Sequence, residues 1–267
     1  MIFKQFRYEP LFQASYLLGC SRAREGFVVD PIADLGPDHY VLEAADQGLD
    51  IVGVLETHVH ADFVSCAREL AELTGAPHYL HEAATPLVRY GFTPLTDGQV
   101  LTVGQIDVQA IHTPGHTPEH TCFLVTDRAR TDEPWAVLTG DSLFVGDVGR
   151  PDLLVGDQAL DVMDEAERAE TQFRSIREKL FTLPDHVEVF PNHYGGSTCG
   201  GVNMSGKASS TIWFEKRYNL ALAQPDAPAF AVFVRETAKP FPDNYQWIKS
   251  YNLGLLDEAQ LKEAMAR

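Results

Sequence analysis

Three features are scarce in this 267-residue sequence: long apolar runs, paired cysteines and basic side chains. No apolar stretch approaches the length of about 20 residues that a membrane-spanning helix needs, so no membrane partner is expected. The four cysteines are scattered without a CxxC pair, which favours reduced thiols and a cytoplasmic location. Lys4 and Arg7 are not followed by an apolar segment or a cleavage site, so we expect no secretory signal.

The shortage of basic side chains gives the chain a strong negative charge. There are 21 lysines and arginines against 38 aspartates and glutamates, for a formal net charge of −17. A surface of this sign repels phosphate backbones and anionic lipids, which disfavours nucleic acids and membrane surfaces as partners. A small anionic ligand is still compatible, because it needs only a local basic pocket. Hydrophobic residues make up 45% of the chain, which is enough for a sizeable globular core.

Apolar patterning predicts one α/β domain over residues 1–267. Short apolar or alternating segments predict strands at 27–29, 51–55, 122–125, 135–138 and 187–190, and a hairpin at 100–111 around Gly104. Apolar residues at helical spacing predict helices at 63–73 and 159–183. Beyond Pro191, a Gly/Ser-rich loop leads to mostly helical segments, and we expect the region of about 205–267 to pack on the rest of the domain.

The densest group of metal-binding side chains is Thr57-His58-Val59-His60-Ala61-Asp62, at the end of the 51–55 strand. His58 and His60 are two residues apart, so in an extended segment their side chains point the same way. Asp62 falls at the predicted start of the next helix, where its carboxylate would cap free N–H groups. Each residue alone has an ordinary structural explanation, but two imidazoles and a carboxylate this close together suit a transition metal.

Three further segments place His or Asp at predicted strand ends. They are His112-Thr113-Pro114-Gly115-His116-Thr117, Thr139-Gly140-Asp141-Ser142 and Pro191-Asn192-His193. The first two contain the glycine or proline that a sharp turn needs. In α/β proteins the rigid sheet fixes the positions of such side chains, while the loop keeps them accessible to ligands. We therefore expect the four segments to meet at one metal site.

These segments resemble the ordered metal motifs of the metallo-β-lactamase superfamily. The resemblance is carried by the segments THVHAD, HTPGHT, TGDSLF and PNHYGG, and it runs over nearly the whole chain. It implies an α/β fold of the αββα sandwich type, with the metal at one edge of the two sheets. Within the superfamily the sequence is most similar to persulfide dioxygenases, through GDSLFVGDVGRPDL (140–153), GSTCG (196–200), STI (210–212) and EKRYN (215–219). Some of those enzymes carry a rhodanese domain, which this sequence ends too early to include, so no sulfurtransferase activity is expected.

For the metal, the resemblance implies a 2-His-1-carboxylate centre formed by His58, His116 and Asp141. This ligand set leaves open coordination positions on one face, as in non-haem Fe(II) enzymes that activate O₂. The expected cofactor is therefore Fe(II), one per chain, with Zn as the alternative. A structural zinc site would instead be closed by four protein ligands and would favour cysteine.

The neighbouring residues His60, Asp62 and His193 would then orient the ligands or bind solvent. They are also the alternative metal ligands, and His60 is a candidate ligand if the native metal is zinc. The two-zinc hydrolases of the superfamily carry HxHxDH, whereas Phe63 occupies the last position here. Phenylalanine cannot bind a metal, so this departure favours a mononuclear centre.

The implied reaction is oxidation of glutathione persulfide by O₂ to sulfite and glutathione. The expected partners are thus a small-molecule thiol persulfide and O₂. The main alternative is a zinc-dependent glutathione thioester hydrolase of the glyoxalase II type, which shares the fold, the first ligand set and glutathione. Phe63 and the GDVGRPDL and GSTCG segments favour the dioxygenase. Another small-thiol or lactone hydrolase, and a metal that serves only structure or sensing, are the remaining alternatives.

Glutathione is anionic, so an acidic protein must offer it a cationic or hydrogen-bonding pocket. The candidate substrate-binding residues are Arg150, Tyr194, Lys207, Lys216 and Arg217. Each is equally compatible with an exposed charge, an ion pair or packing. Cys199, in a Gly/Ser loop near His193, is either a reactive thiol or a small buried packing residue. The apolar residues of 240–267 either cap the domain or form a homodimer face.

Overall fold

Apolar side chains in extended segments build two six-stranded sheets in the computed structural model, which describes residues 1–153 and 164–266. The first sheet follows chain order: β1 (Ile2–Tyr8), β2 (Gln13–Cys20), β3 (Glu25–Val29), β4 (Asp50–Leu55), β5 (His78–His81) and β6 (Thr93–Leu95). Strands β1 to β3 pair antiparallel, and β3 to β6 pair parallel. The predicted strands at 27–29 and 51–55 are confirmed as β3 and β4.

The second sheet contains the remaining predicted strands. Its members are β7 (Val100–Val103), β8 (Ile106–His112), β9 (Thr121–Asp127), β10 (Ala136–Gly140), β11 (Glu188–Pro191) and β12 (Ser210–Thr211), in the order β12-β11-β10-β9-β8-β7. Only the β10–β11 pair is parallel among these pairings. The hairpin predicted at 100–111 is confirmed as β7 and β8, which pair through Val103 and Ile106.

The main core lies between the two sheets. Tyr16 and Leu18 of β2 face Val108, Phe123 and other buried residues of the second sheet. The intervening Leu17 points outward, where it packs with residues of the helical layer. Strand β2 is buried along its whole length because both of its faces are covered.

Helices cover the outer faces of both sheets, which confirms the αββα sandwich. Helices α1 (Pro37–Asp46) and α2 (Ala67–Thr74) pack on the first sheet. The remaining helices are α3 (Glu165–Ser175, continued by a π-helical turn at Ile176–Leu180), α4 (Ile212–Tyr218), α5 (Ala227–Thr237), α6 (Tyr245–Asn252) and α7 (Glu258–Met265). Helices α3 and α5 pack on the second sheet, with the Phe173 and Phe230 rings 5.2 Å apart. None of the helices within the described ranges has the length and apolar character to cross a bilayer.

Two helix predictions need correction or restriction. The helix predicted at 63–73 begins only at Ala67, because the backbone of the preceding loop bonds to the Asn252 side chain instead of to a helical turn. Asp62 therefore does not cap this helix. The helix predicted at 159–183 is confirmed from Glu165 to Leu180, and Asp164 caps its start. It ends three residues earlier than predicted, because residues 181–183 form a turn, and the predicted residues 159–163 lie outside the described residues.

Candidate metal centre

Loops at the ends of four strands bring the predicted motifs together at one edge of the sandwich. His58 follows β4, His116 lies in the loop between β8 and β9, Asp141 follows β10 and His193 follows β11. The sheets fix where each loop begins, so residues far apart in sequence meet in space. The expected convergence of the four motifs is observed.

Three of these residues form a compact buried group. The metal-binding atoms of His58, His116 and Asp141 all lie within 4.8 Å of one another. Asp141 Oδ2 is 3.9 Å from His58 Nε2 and 3.6 Å from His116 Nε2. The exposed fractions of the three residues are 1%, 2% and 0%, respectively. The group therefore has the atoms and spacing of a three-ligand metal site.

Hydrogen bonds at Nδ1 leave the Nε2 atoms of both histidines available. Thr57 Oγ1 donates to Asp30 Oδ2 at 2.9 Å, so it accepts from His58 Nδ1–H at 3.0 Å. His116 Nδ1–H donates to the Arg150 carbonyl oxygen at 2.6 Å. In each ring the Nε2 lone pair is thus directed towards Asp141, which is the tautomer that a metal ligand requires.

Asp141 is placed by a glycine turn. Gly140 has a φ of +50°, and an added Cβ would lie 2.6 Å from His120 Nε2 and 2.7 Å from Thr57 Oγ1. Only glycine fits that conformation and that space. His120 Nε2 accepts the Asp141 backbone N–H at 3.1 Å, which further fixes the turn.

The donor set fits a bound cation. Asp141 Oδ1 accepts a hydrogen bond from His193, but Oδ2 is buried without a partner among the described residues. A buried carboxylate oxygen without a partner is costly, and a metal ion would satisfy it together with the two Nε2 lone pairs. Burial lowers the pKa of His58 well below its usual value, and burial also lowers that of His116 although Asp141 opposes it. Both rings are therefore neutral near pH 7, as metal ligands must be.

His60 lies beside this group but is bonded elsewhere. Its ring centroid is 4.2 Å from that of His58, while its Nε2 pairs with Asp30 Oδ1 at 2.9 Å. Burial opposes the charged form of His60, yet the Asp30 carboxylate raises its pKa. Its Nδ1 has no partner in the described part of the chain. The Phe63 ring covers His60, with ring centroids 4.2 Å apart.

His193 connects Asp141 to Asp62. Its Nδ1 lies 2.8 Å from Asp141 Oδ1 and its Nε2 lies 2.7 Å from Asp62 Oδ2. Burial disfavours the imidazolium, but the two carboxylates outweigh it and raise the pKa of His193 to about 10. Asp62, His193 and Cys199 form a second group whose metal-binding atoms lie within 4.8 Å of one another.

A cavity of about 420 Å³ opens beside Asp62. Phe12 and Phe241 contribute apolar walls, and Ser197 and Thr198 contribute polar ones. This size is typical of a small-molecule site. Asp62 belongs both to the lining of this cavity and to the second group of candidate ligands, so the cavity is adjacent to that group.

The predicted substrate-binding residues are not among those that line this cavity. Arg150 is 4% exposed, and its guanidinium bonds to Asp152 and to the Lys239 carbonyl oxygen while lying 4.3 Å from the centre of the Phe241 ring. Arg150 therefore packs against Phe241, a residue of the cavity wall, without lining the cavity itself. Tyr194 stacks under the Arg7 guanidinium, 4.1 Å away.

The three other basic candidates lie on or near α4. Lys216 Nζ pairs with Asp185 Oδ1 at 2.7 Å, the Arg217 guanidinium lies over Trp213, and Lys207 Nζ lies over Phe214. Their assignment to the substrate stays a prediction.

Several residues that organise the centre were not predicted. Asp30, with a φ of +52°, accepts hydrogen bonds from Thr57, His60 and Asn192. Its position in an Asp-Pro pair after a strand was a usable signal. Asn252 on α6, whose side chain bonds to the backbone at His60, Phe63 and Ser65, gave no such signal, because a single Asn in an amphipathic helix is ordinary.

The sandwich of two sheets with a His–His–Asp group at one edge defines the class of protein. A family model described as the metallo-beta-lactamase superfamily matches residues 8–193. The chain therefore belongs to the metallo-β-lactamase superfamily, and the predicted resemblance is confirmed.

Among individual proteins, the chain is similar to the human mitochondrial persulfide dioxygenase ETHE1, with 28% identity over 82% of this chain and 81% of that protein. The crystal structure of ETHE1 from Myxococcus xanthus has 26% identity and a TM-score of 0.77, and the match covers 95% of this chain and 99% of that one. A metallo-beta-lactamase structure from Staphylococcus aureus has 34% identity and a TM-score of 0.82, and covers 94% of this chain and 72% of that chain. A probable zinc-dependent hydrolase of polyketide biosynthesis, BaeB from Bacillus velezensis, has 26% identity over 75% of this chain and 80% of that protein.

Proposed function

We propose that the chain is a mononuclear non-haem iron dioxygenase that converts glutathione persulfide, O₂ and water into glutathione and sulfite. The observation that carries this proposal is the buried three-ligand group, in which two Nε2 atoms face an Asp141 oxygen that has no other partner among the described residues. Iron held by His58, His116 and Asp141 would supply the activation of O₂ and a position for the substrate sulfur. Similarity to the human persulfide dioxygenase ETHE1 and to the ETHE1 structure from Myxococcus xanthus, each over most of this chain, supports the same reaction.

The surroundings of the group support one metal rather than two. Phe63 is buried against His60, so an apolar ring fills the place of an additional imidazole. Both nitrogens of His193 are engaged by Asp141 and Asp62. A second ion would have to break these bonds before it could bind.

The protein's part in the reaction is to bind the persulfide and to hold the metal ligands in place. The cavity beside Asp62 has the volume for a tripeptide thiol, with Phe12 and Phe241 against its apolar parts. Ser197 and Thr198 offer hydrogen bonds to peptide groups. Arg150 holds the Phe241 wall and, through its carbonyl oxygen, the His116 ring. All four cysteines are free, which suits the reducing cytoplasm that we propose as the location.

A glutathione thioester hydrolase with zinc is the second candidate function. The observation that favours it is the second group, Asp62, His193 and Cys199, whose atoms are close enough to hold another ion. The similarity to BaeB, named as a probable zinc-dependent hydrolase, points the same way. In this alternative, zinc held by His58, His116 and Asp141 would activate water for hydrolysis of the thioester.

A comparison of two metals and two substrates separates the candidates. Protein loaded anaerobically with Fe(II) or with Zn(II) is offered glutathione persulfide or a glutathione thioester, and O₂ uptake, sulfite and free thiol are measured. We expect O₂ uptake with a matching amount of sulfite only when the iron-loaded protein is given the persulfide. His116→Gln should abolish this uptake. His186→Gln, which changes an exposed imidazole, should retain it. Thioester cleavage by the zinc protein, with no O₂ uptake by a sample shown to contain iron, would instead establish the hydrolase.

A further inference from the structure

Lys249 of α6 is a buried cation that is not among the candidate metal ligands or the residues that line the cavity. It lies three residues before Asn252, whose side chain bonds to the backbone of the metal-binding loop at His60 and Phe63. Residues three apart share one face of a helix, so Lys249 faces the same loop. The residue is 0% exposed, and its Nζ has no hydrogen-bond partner in the described ranges.

The Lys249 ammonium is within electrostatic reach of both groups of candidate ligands. Its charge contributes to the lowered pKa values of His58 and His116. Asp62 and Cys199 act on the ammonium in turn, as do Glu119 and Arg168. Burial lowers the pKa of Lys249 to about 8, against the opposing effect of Glu119, so the side chain is still mostly charged at pH 7.

A structural ion pair does not account for this cation. Glu119 is the carboxylate that stabilises it most, but Glu119 Oε1 accepts the Val59 N–H and Oε2 has no hydrogen-bond partner among the described residues. A buried ammonium with three unused donors costs stability, and such groups are normally paired. Unsatisfied buried donors on the helix that bonds to the metal-binding loop are expected where a ligand supplies the missing acceptor.

We propose that Lys249 Nζ binds the anionic sulfur end of the substrate, and the sulfur oxyanion formed from it, beside His58, His116 and Asp141. The identity of this anion rests on the function proposed above. A persulfide anion carries one negative charge and sulfite carries two, so the ammonium interacts more strongly as oxygen is added to the sulfur. A fixed cation in a buried site is well suited to this change in charge. Lys249 is then a catalytic residue that touches the substrate.

Binding of inorganic sulfite tests the assignment without turnover. Iron-loaded protein is titrated anaerobically with sulfite in a calorimeter, and the iron content of each sample is measured first. We expect Lys249→Met to weaken sulfite binding by about tenfold to a hundredfold, as for loss of a charged hydrogen bond. Lys262→Met, which removes an exposed lysine of α7, is the matched control and should bind as the wild type does.

Unfolding in urea distinguishes a ligand-binding cation from a structural one. Removing an unpaired buried charge should leave the midpoint of Lys249→Met at or above that of the wild type. A lower midpoint, or a variant that does not fold, would show that Lys249 pairs with Glu119 in a structural role and would overturn the proposal. Lys249→Gln provides the second neutral variant, for which the same weakening of sulfite binding is expected.

Three further results would also overturn the proposal: no sulfite binding by the wild type, equal affinity in Lys249→Met at equal iron content, or loss of iron from that variant. Sulfite affinity that depends on Lys249 in a protein without dioxygenase activity would reject the proposed function while retaining the anion site. The two claims can therefore fail separately.

Discussion

Individual side chains at the metal centre are fixed by short-range contacts that leave little freedom. Thr57 selects the tautomer of His58, and the Arg150 carbonyl oxygen does the same for His116. Gly140 lets the chain turn so that Asp141 faces both rings. The site is thus preorganised by residues that would not themselves bind the metal.

Gly140→Ala should destabilise the protein and disturb Asp141. The new Cβ would require a left-handed backbone and would meet His120 and Thr57 at 2.6–2.7 Å. We expect the free energy of unfolding to fall by about 1–3 kcal/mol more than the positive φ alone would cost an alanine. Gly36→Ala is the control, since Gly36 also has a positive φ but an added Cβ there meets nothing within 4 Å. Urea unfolding measures both, and equal losses would refute the crowding argument.

The metal-free protein should lose stability in alkaline solution because of His193. Its pKa is raised from 6.5 to about 10 by Asp141 and Asp62 against the effect of burial. The stabilisation is fully present below pH 6.5 and is lost as the pH rises towards 10. In EDTA, the urea midpoint of the wild type should fall between these pH values more steeply than that of His193→Gln. Parallel pH profiles would show that His193 is not an imidazolium in the folded protein.

Among the secondary-structure elements, α6 is the one that determines the shape of the metal-binding loop. The sequence predicts that a helix starts at 63. Instead, Asn252 bonds to the backbone at His60, Phe63 and Ser65, and the helix begins only at Ala67. Asp62 is consequently free to reach His193 instead of capping a helix. The element that decides the local conformation lies almost 190 residues away in sequence, which local patterns cannot reveal.

Asn252→Ala should loosen this loop without touching the metal ligands. Two backbone carbonyl oxygens and one N–H would lose their buried partner, at a cost of about 2–4 kcal/mol. We also expect metal affinity to fall by about tenfold to a hundredfold, as for other residues that orient ligands. Ser250→Ala on the same helix, whose hydroxyl bonds to the Gln246 carbonyl oxygen, is the control. Metal affinity equal to that of the wild type would contradict the role given to α6.

For the molecule as a whole, the features encoded by short sequence patterns were predictable. Strands β3, β4 and β7–β11 follow apolar runs or alternation, and His58, His116, Asp141 and His193 follow strand ends. Strand β1 was missed because its residues are only partly buried and show no clean alternation. Lys249 was missed because its burial depends on how α6 docks, which no nearby residue indicates.

The iron content of the loaded protein tests the central claim most directly. The protein is incubated anaerobically with excess Fe(II), freed of unbound metal and assayed for iron per chain. We predict one iron in the wild type and in Asp132→Asn, whose side chain is exposed, and almost none in Asp141→Asn. Two irons per chain, or one iron retained by Asp141→Asn, would contradict a mononuclear centre held by His58, His116 and Asp141.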